Sequence, residues 1–248
     1  MGQLDGRVAI VTGAARGIGR GIALAFANEG AAVTIADRDE AGAKAVVAEL
    51  PGGGARAIAV RVDVTKPDQI ERMVARTKEE LGGLDILVNN AGIDTVSKLV
   101  DMPLEQWQEM MDVNLTSVFL CTKACLPTMI EQRWGRIISI GSQLGLKGAE
   151  TMVHYCAAKA GVHGFTRALA LEVAPYNVTV NAIAPGAVET ALLRSIPQDW
   201  LDKKKAEVPL GRFGQVEEIT PTAVLLASDG GSYYTGSTLN VSGGDAMV

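Results

Sequence analysis

The chain has 248 residues, 48% of them hydrophobic and 21% charged, which is enough apolar material for a sizeable core and excludes a disordered chain. Lys and Arg number 23 against 28 Asp and Glu, a net charge of −5, so a broad basic surface for nucleic acid is excluded. Aromatics at 4% are too few for a base-stacking platform. The three cysteines, Cys121, Cys125 and Cys156, cannot all pair, and no ligand cluster has the spacing of a metal site. Asp5 and Arg7 interrupt any signal-like succession, and no uninterrupted apolar run approaches the ~18 residues of a membrane span. A cytoplasmic chain that engages neither membrane nor nucleic acid and holds no metal is expected.

Short β-branched runs alternate with longer segments of helical period from one end to the other. Residues 7–11 read as a strand, followed by a helix opening near Gly17. Residues 32–36 are the next strand, and 40–50 a helix that ends at Pro51 and a glycine cluster. Further strands are expected at 57–62, Ile86–Asn89, 136–140, 178–183 and Thr238–Val241, with a long helix at 154–174. The runs 8–11 and 86–88 are continuously apolar, as in strands buried on both faces. The pattern implies an α/β fold: one doubly wound domain over 1–248, a mostly parallel seven-stranded sheet with helices on both faces. An irregular stretch at 186–216, broken by Pro197, Pro209, Gly211 and Gly214, is long enough to serve as a lid over a substrate.

Thr12-Gly13-Ala14-Ala15-Arg16-Gly17-Ile18-Gly19 follows the first strand and opens a helix. Gly13 admits turn dihedrals that a Cβ forbids, while Gly17 and Gly19 let backbone and ligand approach closely. The unsatisfied N–H groups of the helix start then suit a pyrophosphate, so a dinucleotide is expected here. Asp37 closes the second strand, about 20 residues on, where a carboxylate accepts from the ribose hydroxyls and repels a 2′-phosphate. That favours NAD over NADP, although Arg16 and Arg38 would pair with such a phosphate.

Tyr155 and Lys159 stand four apart in the long helix, on one face, with Cβ atoms about 5–6 Å apart. One positive charge at ~4 Å and an effective dielectric of 20 favours phenolate by ~4 kcal/mol. This is roughly three pKa units, enough to bring a tyrosine toward neutrality. Alone, such a pair is ordinary helix surface. In company with the glycine turn, with Asn89-Asn90-Ala91-Gly92, Asn114, Ser142, Pro185-Gly186 and Thr190, the chain resembles the short-chain dehydrogenase/reductase family over essentially its whole length.

The resemblance implies a Rossmann-type domain and a specific set of roles. Tyr155 is the general acid/base, Ser142 holds the substrate oxygen, Lys159 tunes Tyr155 and binds the nicotinamide ribose, and Asn114 fixes a relay water. Gly13, Arg16, Gly17, Ile18, Gly19, Asp37, Asp63, Val64, Asn90, Ala91, Gly92, Pro185, Gly186, Val188 and Thr190 would hold the cofactor together with Tyr155 and Lys159. Asp94, Thr95, Gln143, Leu144, Glu150, Gly186 and Leu192 would line the substrate pocket beside Ser142 and Tyr155, and their mixed polarity suggests a small sugar or polyol. The expected activity is hydride transfer between NAD(H) and a secondary alcohol or ketone. The alternative is an NADPH-dependent 3-oxoacyl-thioester (acyl carrier protein) reductase, and the resemblance implies a homotetramer in either case.

Overall fold

The computed structural model of the chain describes residues 2–50, 56–190, 193 and 198–247. Its sheet is built from β1 (Val8–Thr12), β2 (Ala32–Asp37), β3 (Ala57–Arg61), β4 (Ile86–Asn89), β5 (Gly135–Ile140), β6 (Val178–Pro185) and β7 (Thr238–Val241). The order is β3-β2-β1-β4-β5-β6-β7, and every pairing is parallel. The expected sheet was mostly parallel, and among the described residues it is entirely so. The chain steps outward from β1 to β3, then returns to place β4 on the other side of β1. That reversal opens a crevice above the carboxyl ends of β1 and β4, where ligands of such sheets bind.

Adjacent strand residues point to opposite faces, and the core divides accordingly. Val11, Val33, Ile35 and Ile138 pack with α1 (Gly17–Asn28), α2 (Glu40–Glu49) and α9 (Val216–Ala227) through Ile22, Phe26, Val46, Ile219 and Leu226. Their sequence neighbours Ile10 and Ile137, with Val60, Leu87 and Val180, pack with α3 (Pro67–Leu81), α5 (Ser117–Gln132) and α7 (Val153–Val173) through Ile70, Met73, Cys125, Met129 and Val173. Burial on both sides explains why these strands show no alternation of polarity. Cys121 and Cys125 lie in that second layer, and burial pushes the Cys121 thiol up to about 12.

The helix expected at 154–174 is α7, displaced by one residue at each end. Between α4 (Leu104–Met111) and α5 the backbone runs as a π-helix over Asp112–Thr116, so Leu104–Gln132 is one continuous helical run. By length and composition this run is apolar enough to cross a membrane, which the search for uninterrupted apolar residues did not anticipate. Scattered polar residues break every uninterrupted apolar run in it but are too few to bring down its average hydropathy. Val118, Cys121, Cys125 and Met129 on its α5 portion are buried against the sheet layer, as in a core-facing helix. Two further helices, α6 (Leu144–Lys147) and α8 (Gln198–Glu207), stand at the carboxyl end of the sheet with the site.

Candidate active site

The crevice begins with a clasp between β1 and β4. Thr12 Oγ1 donates to Val88 O at 3.2 Å and accepts from the N–H groups of Asn90 (3.0 Å) and Ala91 (3.1 Å). Asn90 Nδ2 donates back to Thr12 O at 2.9 Å and to Gly13 O at 3.0 Å. The turn is thereby drawn so close that a Cβ on Gly13, whose φ is +63°, would stand 2.7 Å from Ala91 Cα, and one on Gly19 would overlap Asn90 Nδ2. Only glycine fits at these two positions. Asn90 thus acts through its side chain on the turn rather than on the crevice.

No side chain caps α1 at Arg16, so its first N–H groups face the crevice with the polarity that suits a phosphate. Asp37 lies at the mouth of the turn, accepting from Ala15 N–H and Asp39 N–H at 2.9 Å each. A carboxylate has about four acceptor sites, so capacity remains for ribose hydroxyls. Asp63 Oδ1 accepts from Thr65 N–H (2.9 Å) and Thr65 Oγ1 (2.8 Å). Burial raises its carboxyl, but those bonds together with Lys66 and Arg38 outweigh burial and hold it below the usual range. Val64 is buried beside it. On the far wall, Gly186 N–H donates to Val241 O, Val188 bridges to Gly214, and Thr190 Cγ2 approaches Gly17. Leu192 lies outside the described residues.

Lys159 is buried and donates from Nζ to Ile140 O, the last carbonyl of β5, at 2.8 Å. A Cβ on Gly92 would stand 3.7 Å from Lys159 Nζ and 2.7 Å from Asn114 Oδ1, so ammonium and amide share one small space that a water can bridge. Asn114, in the π stretch, clamps the loop after β4: its Nδ2 donates to Ile93 O at 3.1 Å and its Oδ1 accepts from Ile93 N–H at 3.3 Å. Such local widenings of a helix recur at functional sites. Thr95 Oγ1 is 2.8 Å from His154 Nε2, tying the same loop to the residue before Tyr155.

Burial pushes the Lys159 ammonium down to about 8, partly opposed by the Asp94 carboxylate. Burial also raises the Tyr155 phenol above its ordinary value, and Asp94 adds to that; the Ser142 hydroxyl pulls it back. The lowering expected from the lysine does not appear against burial, the largest influence on the phenol; Lys159 Nζ is bonded to Ile140 O and lies 5.7 Å from the Tyr155 ring centroid. A phenol held high is protonated near neutrality, which suits donation to an oxygen gaining negative charge. Ser142 Oγ accepts from Leu144 N–H at 3.1 Å, which leaves its own proton free to donate.

The structure therefore brings together Ser142, Tyr155, Lys159, Asn114 and Asp94 beside the glycine turn. Two contributors were missed: Thr12, whose only signal is a hydroxyl ending a strand before the turn, and the carbonyl of Ile140, which leaves no signal in side-chain identity.

A dinucleotide cradle facing a serine, a tyrosine and a buried lysine defines a nicotinamide-dependent oxidoreductase that works between a hydroxyl-bearing carbon and a ketone. The chain belongs to the short-chain dehydrogenase/reductase family: a family model described as enoyl-(acyl carrier protein) reductase matches residues 13–245. The chain is 44% identical over 246 residues to the 3-oxoacyl-[acyl-carrier-protein] reductase FabG of Vibrio cholerae and, equally, to that of Escherichia coli, spanning 99% of this chain and 100% of each relative. A crystal structure of a short-chain type dehydrogenase/reductase from Mycobacterium marinum matches with a TM-score of 0.94 at 40% identity, covering 99% of this chain and 97% of that one.

These relatives overturn the expectation of a sugar or polyol substrate and favour the alternative. The physical reason lies in Gln143. Its amide is buried and bonded to the Asp245 carboxylate, so a polar residue read as facing substrate is engaged inside the protein.

Lys159 generates a prediction for stability. Its folded value of about 8 lies below the ordinary 10.5, so the native state binds fewer protons than the unfolded chain between these values, and stability rises with pH across that window. Lys159→Met removes the buried charge, worth about 3 kcal/mol, and leaves Ile140 O unpaired at a cost of about 1 kcal/mol. Denaturant titration of the variant should show a gain of about 2 kcal/mol at pH 7 that falls as pH rises and becomes a small loss by pH 10.5. A loss at pH 7 contradicts it.

Proposed function

We propose that the protein reduces the 3-oxo group of an acyl thioester on an acyl carrier protein, using NADH. The observation that carries this reading is the convergence of Ser142, Tyr155 and Lys159 on one cleft, in a chain 44% identical to 3-oxoacyl-[acyl-carrier-protein] reductases along its length. The residues present fit a nicotinamide dinucleotide: Gly13, Gly17, Ile18 and Gly19 would leave room for its pyrophosphate, Asp37 would take the adenosine ribose, Asp63 and Val64 would meet the adenine, and Pro185, Gly186, Val188 and Thr190 would hold the nicotinamide end. A bound reduced nicotinamide supplies hydride to the carbonyl carbon. Ser142 donates a hydrogen bond to the carbonyl oxygen and stabilises its developing charge. Tyr155 gives that oxygen its proton, leaving a hydroxyl on the former keto carbon; Lys159 would resupply Tyr155, and a water held in the space that Asn114 shares with Lys159 would resupply the lysine from behind.

Asp37 supports NADH against the NADPH that the resemblance to oxoacyl reductases suggests, since its carboxylate meets a 2′-phosphate with like charge. Arg16 and Arg38 are the groups that would reverse this. We also infer a homotetramer acting in the cytoplasm. The count of four rests on the family resemblance; an apolar groove of about 380 Å³ between α5 and α7, lined by Phe119, Leu126, Pro127, Ile130 and Phe165, with Phe119 left 46% exposed, offers a face to a second copy. Light scattering should report four times the mass of the 26.0 kDa chain; a monomer would overturn the assembly.

Purified protein should oxidise NADH with an acetoacetyl thioester and not with the crotonyl thioester, the enoyl reaction named by the family model. It should use NADH at least ten times better than NADPH in kcat/KM. Tyr155→Phe should lose at least 100-fold in kcat with cofactor binding retained. Turnover of the crotonyl but not the acetoacetyl thioester would refute the assignment, and a preference for NADPH would refute the role of Asp37.

A further inference from the structure

The C-terminal residues hold a buried carboxylate outside the machinery described so far. Asp245 has a side chain 2% exposed, and three donors converge on it, one from α8 and two from the opposite ends of α6. Lys204 Nζ of α8 lies 2.9 Å from its Oδ2, Lys147 Nζ at the end of α6 pairs with its Oδ1, and Gln143 Nε2 donates to Oδ2. Lys147 Nζ also reaches Asp245 O at 3.1 Å. Burial raises the Asp245 carboxyl, but the donors from Lys147, Lys204 and Gln143 outweigh burial and keep it ionised. A buried ion pair with its hydrogen bonds satisfied fixes geometry more than it adds stability.

The tail is built to present this group. Ser242 Oγ and Asn240 Nδ2 both donate to Ala246 O, folding residues 242–246 back on β7. Leu210 N–H, just beyond α8, donates to Gly243 O at 3.1 Å. Gly243 has a φ of +64°, and a Cβ there would stand 3.0 Å from Val208 Cγ1. The tail therefore grips α8 twice, through Lys204 and through the backbone that follows the helix.

We propose that Asp245 is a positioning residue for substrate binding: it pins α8 to the turn that carries Ser142. Gln143 directly follows Ser142, and its N–H is anchored to Pro185 O at 3.1 Å. Asp245 adds the side-chain anchor and joins it to α8. Ser142 itself keeps its bonds to the turn when Asp245 is lost, so the effect falls on substrate affinity rather than on the chemical step. The kinetic part rests on the proposed thioester reduction; the mechanical part does not.

The experiment uses Asp245→Asn, Asp245→Glu, Lys204→Gln and the double variant in the full chain. Limited trypsinolysis should cut α8 in Asp245→Asn at least fivefold faster than in the wild type at the Lys203–Lys205 run. KM for an acetoacetyl thioester should rise at least tenfold, with kcat and the cofactor KM within threefold. Asp245→Glu should recover part of the KM, and the double variant should be no worse than Asp245→Asn. If Asp245→Asn does not fold, Lys204→Gln must show the rise in KM on its own. Unchanged cleavage of α8 with unchanged KM overturns the proposal, as does a fall in kcat that tracks a fall in Tm. Absence of any thioester reduction would refute the proposed function, while the cleavage rates would still decide whether Asp245 holds α8.

Discussion

A buried ammonium must find a partner, and in this protein the partner is a backbone carbonyl. Lys159 donates to Ile140 O at 2.8 Å, and that bond ties the catalytic end of α7 to the end of β5. The isolated charge would be costly in such surroundings, so the bond and the burial together set where the helix sits. One turn earlier on α7 stands Tyr155, and two residues beyond Ile140 stands Ser142. Fixing Lys159 therefore fixes the separation of a proton donor from the hydroxyl that helps it.

The other half of the crevice depends on the clasp between Thr12 and Asn90. It satisfies polar groups at the ends of β1 and β4 and forces the chain between β1 and α1 into a shape that excludes side chains at Gly13 and Gly19. Both halves lie at the carboxyl ends of parallel strands, on either side of the point where strand order reverses. The sheet is thus the ruler that holds the cradle and the Ser142–Tyr155–Lys159 group at a set distance. Loops and the C-terminal tail then shape what may approach.

Much of this was legible in the residues. The apolar runs at β1 and β4 announced strands buried on two faces, and the four-residue spacing of Tyr155 and Lys159 announced a shared helix face. The continuous run Leu104–Gln132 was not legible, since the π stretch over Asp112–Thr116 that joins its two helices has no signature in apolar spacing. The electrostatics of Tyr155 were misjudged because a neighbouring charge was counted and burial was not: burial raises the phenol and Asp94 adds to it. Substrate class was misjudged for a related reason. Gln143 is polar by identity but committed to Asp245 in the fold, and identity alone does not say which way a side chain is turned.

The account turns on whether Lys159 is a desolvated ammonium held by one carbonyl. Its ionisation can be followed directly by the side-chain 13Cε chemical shift of isotope-labelled lysine, with the resonance identified by its loss in Lys159→Arg. A midpoint of about 8, distinct from the other lysines, is the expected result. A midpoint at the ordinary 10.5 would mean that the ammonium is solvated and that the geometry built on it is wrong.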